Sequence, residues 1–289
     1  MVKGKSAFSW QVPVIHGGDP GLFTKFVMDL GLDAVELKGA DGPWIYYAKE
    51  SGWGPNVREE LVQDLRIAGI ETRLWHFVYG SNVVGELAAA RKLCDKLQPS
   101  VYVWDSEGAF EIKSSAISNA RYLGAGLKSS HPHIKQALCT WALPKSPTTG
   151  AVWHPITVIN AWLENMDAVM PMMYWQGSTP TNAIKYYDWS IGIWNGITDL
   201  PIIPVGRAYD GDGGYANPPA ITAFSDRVYI SSGEKNVSGI SWYSLDELYK
   251  NPSWAQAIRE SQDFLQELTV EEKVNRLVKE HPYLFPELF

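Results

Sequence analysis

Short apolar runs alternate with longer amphipathic segments along most of the chain, the pattern that strands and crossover helices of a parallel sheet leave in a sequence. Eight runs rich in β-branched and aromatic residues recur: SAFSWQVP (6–13), DAVELKG (33–39), ETRLWHFVY (71–79), SVYVWDSE (100–107), IKQALCTWAL (134–143), DAVMPMMYW (167–175), LPIIPVGRA (200–208) and VSGISWYSL (237–245). Their spacing of about 30 residues or more leaves room for a strand and a return helix each. Two intervening segments, PGLFTKFVMDLG and VREELVQDLRIAG, end at Gly31 and Gly69, residues suited to the left-handed turn that closes a helix. Eight such units predict an α/β fold, a single (β/α)8 TIM barrel over residues 1–262. An open doubly wound sheet competes, but the first turn, VIHGGDPG, lacks the G-x-G-x-x-G fingerprint frequent in such folds. Beyond residue 262 the pattern changes. Thr269 and Glu272 form a capping box, and Leu268, Val274, Leu277 and Val278 trace one stripe. Residues 263–289 are therefore expected to be an amphipathic helical tail or linker.

A length of 289 residues suits the roughly 250 of such a barrel plus that extension. Thirteen Trp and fourteen Tyr supply flat apolar faces with hydrogen-bonding edges, suited to stacking on sugar rings as well as to core packing. The net charge of −7 argues against tracking a phosphate backbone, so nucleic acid is not an expected partner. Cys94 and Cys139 fall in a predicted helix and a predicted strand, where a thiol acts as a small buried hydrophobe rather than half of a disulfide. Nowhere do about 18 apolar residues run together, so no membrane span is expected. The amino terminus, MVKGKSAFSWQVPV, has neither the apolar run nor the cleavage site of a signal peptide, although a leader could have been removed.

Barrels of this type carry their sites at the carboxyl ends of the strands. The fourth run ends in Trp104, Asp105, Ser106, Glu107 and Gly108. Residues two apart on a strand share a face, which puts both carboxylates toward the barrel mouth roughly 6–7 Å apart along the backbone. Mutual repulsion and a rim of Trp raise one pKa, leaving an acid beside an ionised neighbour. Glycoside hydrolysis needs that division of labour. A bare D-x-E also arises by chance, and its position after VYVW and before glycine is what favours function. The second run closes at Lys38 and Asp41, the third at His76 and Tyr79, the sixth at Tyr174, Trp175 and Gln176, and the eighth carries Trp242. All are candidate substrate-binding residues, with Tyr174 holding a substrate carbonyl and Trp242 flooring a sugar subsite. Lys38 has the alternative of simply pairing with Asp41 or Glu36, and His76 that of a satisfied core histidine.

The ordered motifs K-G-A-D-G, W-H-F and D-S-E-G resemble those of family-25 lysozymes, K-x-x-[DE]-G, Y-H-F and D-x-E. M-M-Y-W and G-I-S-W-Y-S-L-D also resemble family-18 chitinases, with their M-x-Y and their Trp-bearing last strand. The chain further resembles uncharacterised glycoside hydrolases whose barrel precedes a helix like E-E-K-V-N-R-L-x-x-E-H-P. The resemblance implies that Glu107 is the acid and that Asp105 orients or stabilises an intermediate formed with the substrate's own N-acetyl group. Two departures stand out: family-25 enzymes usually begin strand one with an Asp, where this chain reads Ser9, Trp10 and Gln11, and Asp246 lies several residues too late for their final-strand Asp.

The leading expectation is thus a glycosidase cleaving an N-acetylhexosamine-containing cell-wall polymer such as peptidoglycan, in the manner of a lysozyme or endolysin, outside the cell or at its wall. The tail either packs on the barrel or leads to a further cell-wall-binding or assembly module. A non-catalytic carbohydrate-binding barrel is the second reading, motivated by the missing strand-one Asp. A Schiff-base lyase using Lys38 is the third. No cofactor and no metal are expected, since His131 and His133 have no third ligand nearby. The run Asp210-Gly-Asp-Gly-Gly214 is expected to be a flexible substrate loop rather than a phosphate cradle, because its aspartates would repel phosphate. Asn236-Val-Ser238 fits a glycosylation triplet, a pattern common by chance.

Overall fold

The structure is a computed structural model and describes residues 2–46, 57–232 and 236–261. The tail predicted over 263–289 lies outside the described residues.

The eight predicted runs each contribute a parallel strand to one closed sheet. The strands are β1 (Gly4–Ser9), β2 (Ala34–Asp41), β4 (Glu71–Val78), β5 (Val101–Ser106), β6 (Lys135–Trp141), β7 (Ala168–Met173), β8 (Val205–Arg207) and β9 (Gly239–Tyr243). Each pairs in parallel with its neighbours, and β1 pairs with both β2 and β9, which closes the barrel. A short β3 (Trp44–Ile45) runs antiparallel to the end of β2.

Helices α1 (Pro20–Asp29), α2 (Glu59–Ile67), α3 (Val83–Leu97), α4 (Gly108–Glu111), α5 (Ala116–Ser130), α6 (Ile156–Leu163), α7 (Pro180–Trp194), α8 (Pro218–Ser231), α9 (Leu245–Lys250) and α10 (Pro252–Arg259) follow the strands. Their starts are chemically marked. Asp19, Asn82, Thr179 and Asn217 cap α1, α3, α7 and α8 by accepting a backbone N–H three residues on, and proline occupies the first turn of α1, α7 and α8. Gly31 and Gly69 take the positive φ that ends α1 and α2.

Two predicted strands are shorter than their apolar runs. β1 stops at Ser9, and Pro13 then starts a 3-10 turn over Val12–Val14. In the seventh run Pro201 and Pro204 have no N–H to give a ladder, so only Val205–Arg207 forms a strand, with Ile202 held by isolated bridges.

The strands separate two apolar regions. Between sheet and helices lies the larger core, which includes Leu74, Trp104, Trp162, Trp175 and Trp242. Inside the barrel, Val101, Val103, Ala137, Cys139, Met170 and Val205 fill the centre. Below them the fully buried Arg73 and Glu36 pair at 2.9 Å, and Ser241 donates to the second Glu36 oxygen at 3.1 Å. Paired and hydrogen-bonded, these charges avoid the several kcal/mol that either would cost alone in the interior.

Candidate active site

Alternation along β5 decides what reaches the barrel mouth. Val101 and Val103 point inward, so Asp105 does too, above them and 6% exposed. Its Oδ1 has no hydrogen-bond partner among the described residues. Glu107 follows immediately after the strand, half-buried, at the start of α4. Both face a cavity of about 990 Å3, walled by Phe8, Trp75, Phe77, Tyr174 and Tyr243 and rimmed by Trp10, Trp141, Trp153 and Trp254.

Removal from water raises the proton affinity of both carboxyls. Burial, reinforced by the charge of Glu107, pushes Asp105 well above the usual carboxylate range, and Lys38 only partly opposes this. Glu107 is also raised, first by burial, then by Glu111 and Asp212, again against Lys38. Glu111 accepts from His154 Nδ1 at 2.9 Å, and the His154 ring lies flat on Trp141, with centroids 4.3 Å apart and planes within 13°. The phenols of Tyr174 and Tyr243 are raised by burial, which keeps them protonated and able to donate.

Lys38 and Asp41 are three residues apart, and regular alternation would send them to opposite faces. A register shift in the β2–β4 ladder leaves Gly39 without a partner, and beyond it both side chains face the cavity. They pair at 2.8 Å, and the Lys38 ammonium sits 4.3 Å from the centre of the Trp75 ring. Tyr79 joins them with its hydroxyl pushed up to about 12 by burial and by the hydrogen bond to Asp41. Of the residues singled out in the sequence, the cavity thus gathers Asp105, Glu107, Lys38, Asp41, Tyr79, Tyr174 and Gln176.

His76, Trp175 and Trp242 are corrections. Each is fully buried and absent from the cavity lining, His76 and Trp242 on the outer faces of β4 and β9 and Trp175 two residues past the end of β7. β4 has no register shift beside β5, so His76 alternates with the inward Trp75 and Phe77. Its Nε2 donates to the Gly42 carbonyl at 2.7 Å and its Nδ1 meets the Tyr102 hydroxyl at 2.9 Å. Burial lowers its pKa to about 4, so the ring is neutral. Trp175 and Trp242 both pack on Phe224, at 5.3 and 5.6 Å between centroids, and the inward places beside them belong to Tyr174 and Tyr243. Asp246 also has a structural post. It accepts from the N–H groups of Trp10 and Gln11 and from the Ser9 hydroxyl, tying the loop after β1 to α9.

Sequence reasoning missed Trp75, Phe77, Tyr243, Glu111 and His154. Period two along β4, which puts Trp75 and Phe77 on the face of Tyr79, was signal enough for those two. His154 lies on a loop with no period to read. Among the described residues no group of three or more His, Cys, Asp or Glu side chains is arranged to hold a metal ion, and no helix is long and apolar enough to cross a membrane. Cys94 and Cys139 are both buried free thiols.

No family model matches the sequence, and no curated protein matches it either. Solved structures do match in fold. A GH18 chitinase from Cycas revoluta in complex with (GlcNAc)3 superposes with a TM-score of 0.63 at 11% identity, covering 89% of this chain and 99% of its own. A chitinase from Chromobacterium violaceum gives 0.61 at 12% identity, covering 92% and 100%. A spore cortex-lytic enzyme from Bacillus megaterium gives 0.56 at 10% identity, covering 90% and 74%. At such identities the likeness establishes the barrel.

Proposed function

We propose that this barrel is a glycosidase of N-acetylhexosamine-containing polymers, with Glu107 as the general acid. One observation carries the reading: Asp105 and Glu107 face one aromatic-walled cavity, and burial holds both above the ordinary carboxylate range. The chitinases and the cortex-lytic enzyme that share the fold support it by analogy.

A sugar seated against Trp75 and Tyr243 brings its glycosidic oxygen to Glu107, whose raised pKa keeps a proton available for the leaving group. Asp105, deeper and within reach of the charge of Glu107, orients the 2-acetamido group so that its carbonyl oxygen meets the developing oxocarbenium carbon. The Tyr174 hydroxyl donates to the same acetamide and fixes its direction. Lys38, paired with Asp41, limits the negative potential at the floor. Peptidoglycan and chitin both carry the 2-acetamido group that this arrangement uses.

Release of reducing ends from chitin, peptidoglycan and other glycans by the wild-type protein tests the proposal. Products from an N-acetylhexosamine polymer support it. Sugar binding without any product would favour a non-catalytic carbohydrate-binding barrel, the reading that strand one, with Ser9 in place of an acid, keeps open.

A further inference from the structure

No hydrogen bond or ion pair with another described residue holds the Glu107 carboxyl, and its side chain does not cap the helix that follows it. Its aim therefore comes from the backbone that carries it. The Glu107 carbonyl accepts the N–H groups of Phe110 and Glu111 at 2.9 and 3.1 Å, which makes the residue the start of a single helical turn, α4. Four residues are too short a helix to keep a direction of their own, so side-chain anchors must supply it.

Two side chains of α4 do so. Phe110 is fully buried, its ring 5.2 Å from that of Trp162 and close against Gly80, where a Cβ would stand 2.9 Å from it. Glu111 is the second anchor. Its side chain is 7% exposed and accepts from His154 Nδ1 at 2.9 Å, its sole hydrogen-bond partner among the described residues. His154 is itself well held. Its ring lies flat on Trp141, with centroids 4.3 Å apart, and the edge of Trp141 reaches Gly108, where a Cβ would stand 3.9 Å from Cζ2. The His154 N–H donates to the Pro144 carbonyl at 3.0 Å, within a loop closed by the Lys145–Val152 bridge. At the base of that loop the Ala142 carbonyl accepts from the buried Ser190 hydroxyl and Trp194 indole of α7, at 2.8 and 3.1 Å.

We infer that His154 is a positioning residue for the general acid: by holding Glu111 it fixes the turn that aims Glu107 at the glycosidic oxygen. The inference rests on the glycosidase reading and adds to it a residue from a different loop. Without His154 the Glu111 carboxylate is left buried and unpartnered, a cost that α4 relieves by shifting toward water. A shift of about 1 Å at the reacting group is enough to slow a reaction by as much as roughly 10²-fold.

The test compares two substrates on the acid plateau of the rate profile, where Glu107 is protonated in every form. One is a hexamer of N-acetylglucosamine, whose leaving sugar needs a proton. The other is the 2,4-dinitrophenyl glycoside of di-N-acetylchitobiose, whose phenolate departs without one. H154F keeps a flat ring on Trp141 and loses the hydrogen bond to Glu111. It is expected to lower kcat/KM on the hexamer by about tenfold or more and on the dinitrophenyl glycoside by no more than about twofold. H154N, with a donor near the Nδ1 position, should recover part of the loss. Equal losses on the two substrates, or none on the hexamer, overturn the inference and leave the glycosidase reading intact. Should H154F not fold, E111A takes its place on the same pair: a loss confined to the hexamer supports the inference, and equal losses or none overturn it. Wild-type protein that cleaves neither substrate overturns the glycosidase reading, and this inference falls with it.

Discussion

A carboxyl that releases its proton at ordinary carboxylate pH has little left to donate near neutrality, and Glu107 escapes this through its surroundings. Burial raises it first, and Glu111 adds to the effect from the next turn of chain. Replacing Glu111 with Gln removes that negative neighbour, so the alkaline limb of the kcat/KM profile should move to lower pH; a profile superimposable on wild type would contradict the assignment. Asp105 tests the same environment through stability. Its folded pKa lies above its unfolded one, so its contribution is fully present below the unfolded value and is lost as pH rises through the folded value. Near neutral pH, Asp105→Asn should therefore raise the unfolding free energy while lowering turnover, as denaturant titrations and hydrolysis rates would show. His76 behaves oppositely. With its pKa lowered to about 4 in the fold, it gives up as much as roughly 3 kcal/mol as pH falls from 6.5 toward 4. An H76Q variant, if it folds, should show a flatter decline of stability across that window in denaturant titrations.

At the scale of single elements, the strand period separates what was legible from what was not. Each of the eight strands could be located because β-branched and aromatic runs bounded by glycine and proline mark them, and the closing glycines of α1 and α2 were equally visible. Side-chain direction is a parity question. On β4 the rule was available, since Trp75, Phe77 and Tyr79 share a face and His76 cannot join them. On β2 the same rule would have misled, because the shift at Gly39 brings Lys38 and Asp41 together and no sequence pattern announces it. The parity of β9 makes a prediction. Trp242→Phe should lower the melting temperature by loosening its packing on Phe224 while leaving KM near wild type, whereas a Trp that floors a sugar subsite would raise KM severalfold. Gly206→Ala, whose Cβ would stand 2.6 Å from Trp242, should cost about 1–3 kcal/mol of stability through overpacking in the same region.

For the molecule as a whole, closure of the barrel is what builds the site. Its walls come from β1, β2, β4, β5, β6, β7 and β9 and from the loops after them, so residues more than 200 positions apart in sequence, such as Phe8 and Tyr243, touch one cavity at 6.2 Å between ring centres. The repeat count announced the barrel, whereas the loop residues, His154 and Asp212 among them, take their places only from the closed fold. The central claim is that Glu107 donates the proton in glycoside cleavage, and steady-state hydrolysis of an N-acetylglucosamine oligomer by wild-type protein and by Glu107→Gln tests it most directly. The account predicts that wild type releases reducing ends and that the variant, still folded and binding the oligomer within severalfold of wild type, loses about 10²- to 10⁴-fold in kcat. Turnover by the variant equal to that of wild type would contradict it.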